Sequence, residues 1–117
     1  MNIQHFEKDF HFTDAELLLA ARKIGKLATL CRRMKDEGSW IRLEVEKRGT
    51  KKTKDEIKVT VIVHLPKKML SAESRRSDVI DALDRCIDKL EPQVKKYKEL
   101  HTGRGQTQRK DLRKKNS

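Results

Sequence analysis

Basic side chains recur in two columns along this chain, and phosphate is the group such columns recognise. At about 100° per residue, Arg22, Lys26 and Arg33 fall within about 40° of one another on a helix. Arg85, Lys89 and Lys96 make a second narrow column. Asp81, Asp84, Asp88, Glu91 and Glu99 gather on the opposite flank, and Asp78 intrudes on the basic side. Cations spaced along two rods suit a polyanion whose charges repeat every few ångström. The plainer reading is a solvated helix face laced by i,i+4 pairs such as Asp81–Arg85 and Glu91–Lys95. Segregation on both helices favours a phosphate surface lining a groove between them.

No other constellation competes. His5, His11, His64 and His101 lie in separate segments with no carboxylate or thiol at ligand spacing, so neither a metal nor a cofactor is expected. Cys31 and Cys86 each fall on an apolar helix stripe, the setting of an inert buried thiol. Trp40 could stack on a base, although a tryptophan that opens a strand beside Ile41 also serves as a packing anchor. No acid, base and nucleophile converge, so the expectation is a non-enzyme without catalytic residues or a small-molecule substrate.

The elements that must hold these columns follow from periodicity. Ile3 to Phe6 is a short strand. Thr13-x-x-Glu16 is a capping box opening a helix whose stripe is Leu17, Ala20, Ala21, Ile24, Leu27, Ala28, Cys31 and Met34, with Gly38 a stop just past its end. Trp40 to Lys47 and Ile57 to Leu65 alternate with period two, burying Ile41, Leu43 and Val45 and then Ile57, Val59, Val61 and Val63. Lys68 to Ser74 is a weaker strand. Ser77 caps a second helix with the stripe Val79, Ile80, Leu83, Cys86, Ile87, Leu90, Val94 and Tyr97, and Pro92 within it predicts a kink or break. The fold class is α+β, in the order β-α-β-β-β-α. The economical packing is a four-stranded sheet carrying two helices on one face.

With 117 residues the chain fits one domain and is too short for the large α/β enzyme folds, which need roughly 200. Its formal charge is 29 − 18 = +11. Residues 103–117 contribute 6 − 1 = +5 of this with a single aliphatic side chain, Leu112. They read as a disordered basic tail after a folded unit of residues 1–102. A second polar stretch, Arg48 to Asp55, reads as a loop. No apolar run approaches a membrane span, the N-terminus has no signal-peptide core, and two cysteines without CxxC spacing suit a reducing compartment. The expected location is cytoplasmic, with no membrane partner.

Several segments resemble one known family. These are Phe12-Thr13-Asp14-Ala15 and the helix after it, Leu43-Glu44-Val45-Glu46-Lys47, Ser71-Ala72-Glu73-Ser74, and Asp78-Val79-Ile80-Asp81-Ala82-Leu83-Asp84. Above all, Ile87-Asp88-Lys89-Leu90-Glu91-x-Gln93-Val94-x-Lys96-Tyr97-Lys98 resembles the ribosome hibernation-promoting factors, also called ribosome-associated translation inhibitors. The resemblance spans roughly residues 1–101 and implies the same β-α-β-β-β-α fold. It implies a factor that binds the decoding region of the small ribosomal subunit and its rRNA through basic helices, blocking mRNA and tRNA. Lys89 and Lys96 match basic positions of the helix-two motif, Arg85 and Lys47 match more loosely, and Lys95 stands beside them. Pro92 departs from the pattern, and no counterpart of the long form's dimerising domain is expected after residue 101.

The reading is thus a short-form hibernation factor, monomeric in solution, with Arg22, Lys26, Arg33, Lys47, Arg85, Lys89, Lys95 and Lys96 on RNA. The alternative is a free-standing double-stranded-RNA-binding module, whose fold also sets two helices on one sheet face. A third is an adaptor whose basic surface meets an acidic protein.

Overall fold

Alternating branched residues build the sheet. The computed structural model describes residues 2–30, 38–47 and 56–102. Six elements follow in the order β1 (Asn2–Lys8), α1 (Asp14–Thr29), β2 (Trp40–Lys47), β3 (Ile57–Leu65), β4 (Lys68–Arg76) and α2 (Val79–Thr102). The strands form one mixed sheet in the order β1-β2-β3-β4. β1 runs parallel to β2, and the other two pairings are antiparallel. A parallel pair needs a crossover, which α1 supplies.

Cross-strand register stacks Ile41 on Val63, Leu43 on Val61 and Val45 on Val59, all buried. Full burial of such side chains contributes about 1.5–3 kcal/mol each. Ala20, Ile24, Leu27 and Ala28 of α1 join the same core as Val79, Leu83, Leu90 and Val94 of α2. Both helices therefore cover one face of the sheet, as the sequence predicts, and among the described residues no helix covers the other.

The helix ends show how local chemistry sets the boundaries. Thr13 Oγ1 accepts from the Glu16 N–H at 3.1 Å while Glu16 Oε1 accepts from the Thr13 N–H at 2.9 Å, the reciprocal cap expected. α1 closes at Thr29, where the Leu30 N–H reaches back to the Leu27 carbonyl. Gly38 is a turn residue, not a helix stop: with φ of 101° it stands two residues before β2, in the left-handed region that glycine enters most easily. Ala21, placed on the apolar stripe of α1 by spacing, is exposed.

Two further expectations change. Asp78, not Ser77, caps α2, since its carboxylate accepts from the Asp81 N–H at 3.1 Å and its carbonyl from the Ala82 N–H at 3.1 Å. Both residues are good cap formers, and the carboxylate also gains from the helix dipole. Pro92 does not break α2, which continues to Thr102. Leu90, Val94 and Tyr97 are buried on either side of it, so packing on the sheet holds the two halves together. The outer strands are also longer than the alternation suggests, β1 covering Asn2–Lys8 and β4 reaching Arg76. Arg33, Cys31, Met34, the 48–55 stretch and the 103–117 tail lie outside the described residues.

Candidate nucleic-acid interface

Packing decides which way each column points. The buried stripe of α1 turns Arg22 and Lys26 away from the sheet, both exposed, with Lys26 at the rim of the helix pair. Arg85, Lys89, Lys95 and Lys96 are exposed on α2, and Lys47 is exposed at the end of β2. None of these seven pairs with a carboxylate among the described residues. The Asp81–Arg85 and Glu91–Lys95 pairs that spacing suggested do not form. Cations without carboxylate partners are available to an external anion.

The two columns do not share a groove. Residues 23–30, at the end of α1, and 84–91 of α2 face each other across a hollow lined by Lys23, Lys26, Asp84, Asp88 and Glu91, so the groove carries both signs. Lys23 Nζ stands 2.6 Å from Asp84 Oδ1. α2 has turned its acidic flank toward its neighbour and its basic flank toward β4. The expected cationic groove is therefore corrected to a mixed-charge groove flanked by two basic strips, one on α1, whose Lys26 also lines the groove, and one along the β4 side of α2.

On that second strip the positioning contacts are specific. Lys89 Nζ donates to the Glu73 carbonyl of β4 at 2.7 Å, which fixes the side chain across the sheet edge. Tyr97 Oη donates to the Pro66 carbonyl at 3.0 Å and ties the β3–β4 turn to α2. Lys68, just past that turn, consequently lines one hollow with Lys96, Gln93 and Leu100. Spacing along a single helix could not place Lys68 beside Lys96, because the tie is a contact between residues distant in sequence.

Two titratable groupings complete the picture. Glu7 Oε2 lies 3.1 Å from His5 Nε2, and Glu7 Oε1 lies 3.4 Å from His11 Nδ1. The carboxylate that spacing failed to find is thus present, but no group of three metal-ligating side chains is arranged to hold an ion among the described residues. Cys86 is buried and its Sγ lies 3.4 Å from the Val59 carbonyl. Burial pushes its thiol from 9.0 up to about 11, against the pull of the Lys89 charge, so it is a poor nucleophile at neutral pH.

These contacts give a β-α-β-β-β-α fold with cations along two helices, and the Sigma 54 modulation protein / S30EA ribosomal protein family matches it over residues 3–102. The chain belongs to that family. S30EA proteins are ribosome-associated and non-enzymatic. Among solved structures, the N-terminal domain of Thermus thermophilus Protein Y is similar with a TM-score of 0.65 at 26% identity. That match covers 83% of this chain and 99% of that one. A ribosomal subunit interface protein from Coxiella burnetii has the same fold, with a TM-score of 0.65 at 24% identity over 84% of this chain and 98% of its own. No curated protein matches. The S30EA match encloses all seven described basic residues of the site, together with Lys68. Among the described residues no helix is long and apolar enough to cross a membrane.

Proposed function

We propose that this S30EA protein is a translation inhibitor of the hibernation type. It binds the decoding region of the small ribosomal subunit and excludes mRNA and tRNA by occupying their space. The observation that carries the reading is the set of exposed cations, Arg22, Lys26, Lys47, Arg85, Lys95 and Lys96, that pair with no carboxylate among the described residues. Lys89 joins them from its perch on β4. Phosphate contacts supply affinity, and the shape of a pre-folded rRNA cleft supplies specificity, since rRNA presents its backbone in fixed positions. Two strips separated by the mixed-charge groove suit two RNA segments lying on either side of the helix pair. The protein acts as a cytoplasmic monomer, without cofactor or small-molecule substrate.

Co-sedimentation with isolated small subunits tests this. Binding to subunits that is not competed by plain duplex RNA, with inhibition of mRNA binding in the same reaction, is the expected result. Equal competition by duplex RNA would instead favour a free-standing duplex-binding module.

A further inference from the structure

The sheet face opposite the helices carries a line of planar side chains. His64 of β3 stacks on Trp40 of β2 with ring centroids 4.9 Å apart and planes 5° from parallel. The Arg42 guanidinium lies 5.7 Å from the Trp40 centroid and 4.7 Å from that of Phe6 on β1. Register places these groups on one face, in neighbouring rows across three strands. The column ends at Phe6, which is 50% exposed. Arg42 Nε and His64 Nδ1 are buried in it without hydrogen-bond partners among the described residues, so stacking holds the column, with the Arg42–Glu44 ion pair at its side.

We propose that this open face stacks the unpaired bases of single-stranded RNA, giving the protein a second nucleic-acid surface on the side remote from its basic helices. Every base has a π-face, and a ring or guanidinium column extended at an open end accepts bases without reading sequence. Duplex RNA keeps its bases stacked inside and cannot extend the column. Charge argues against a protein partner. The face is crossed by the ion pairs Arg42–Glu44, Lys58–Glu73 and Lys8–Glu46, whereas the cores of protein interfaces are depleted of charge. Those same pairs neutralise its carboxylates, so the face does not repel a strand drawn to a protein of net charge +11. Base stacking on this face goes beyond subunit binding and stands or falls separately from it.

Trp40 is the only tryptophan, so its fluorescence reports on the column directly. Titration of the full chain with single-stranded oligoadenylate should quench that emission saturably, and the corresponding duplex should not. Lys89→Glu with Lys96→Glu should leave the quenching in place. Phe6→Tyr should retain affinity, whereas Phe6→Leu, which keeps apolar bulk but loses the ring, should weaken it by about tenfold. The proposal is overturned if the wild type is not quenched, if Phe6→Leu binds like wild type, or if the two lysine reversals abolish quenching. Subunit co-sedimentation without quenching would remove the stacking face and leave the proposed function standing. Quenching without co-sedimentation would do the reverse.

Discussion

Lys23 of α1 and Asp84 of α2 meet at 2.6 Å, across the seam where packing has set the acidic flank of α2. The hollow between the helices holds Asp88 and Glu91 as well. The pair is partly solvated, so its own contribution to stability is small, about 0–1 kcal/mol. With the acids of α2 facing α1, Lys23 and Lys26 meet them at the hollow while Arg85, Lys89 and Lys96 lie on the other side of α2.

Reversal of two of those cations should separate binding from folding. Lys89→Glu combined with Lys96→Glu is expected to weaken small-subunit binding by about tenfold or more, because two phosphate contacts become repulsions. Both side chains are exposed, and within the fold the substitutions break the hydrogen bond from Lys89 to the Glu73 carbonyl. The thermal midpoint should fall by no more than a few degrees. Co-sedimentation and thermal denaturation of the same preparation check both halves, and a collapse of the midpoint would make these residues structural.

Salt should report how many phosphates are engaged. If about six cations take part, log K should fall against log[salt] with a slope of roughly −4 to −5. Measured by titration of labelled protein into small subunits across a salt series, a slope near −1 would contradict a phosphate-dominated interface.

Pro92, within the basic column between Lys89 and Lys96, offers a test of stability. It is exposed, sits inside a continuous helix and has no N–H to give the Asp88 carbonyl. Pro92→Ala restores that donor and should stabilise the protein by about 1–3 kcal/mol. Chemical denaturation should show a higher midpoint with an unchanged slope, and a lower midpoint would mean that the proline geometry is needed by the packing around it.

The Cys86 thiol makes stability depend on alkaline pH. Its folded value of about 11 lies above the ordinary 9.0, so between the two the unfolded chain gives up a proton that the native state keeps. The stabilisation is complete below pH 9 and declines as pH rises toward 11. Denaturation of wild type and Cys86→Ala at pH values on both sides of that window checks it: the variant should lose less on going alkaline. At neutral pH, native Cys86 should resist alkylation and react once the protein is denatured.

Much of the architecture was legible because β2 and β3 alternate strictly and Thr13 and Glu16 form their cap from adjacent sequence. The parallel partner of β1 was not, since Ile3 and Phe6 are half exposed and an edge strand carries little pattern. Ser77 and Asp78 are both competent caps, and only the hydrogen bonds separate them. The columns on each helix were readable for the same reason as the core stripes. Which flank each helix turns to its neighbour was not readable, because azimuth around one axis says nothing of where the other axis lies. Lys68 was missed for a related reason: the Tyr97–Pro66 tie that brings it to Lys96 joins residues 31 apart in sequence.

β1 touches the rest of the sheet along one side only, through its parallel pairing with β2. That pairing spans the α1 crossover, so its closure entropy is met only after α1 has docked, whereas β2, β3 and β4 assemble as successive hairpins. None of its described side chains is buried, whereas β4, the other edge, buries Leu70, Ala72 and Ser74. Phe6, at the open end of the aromatic line, rides on the least tightly held strand of the sheet.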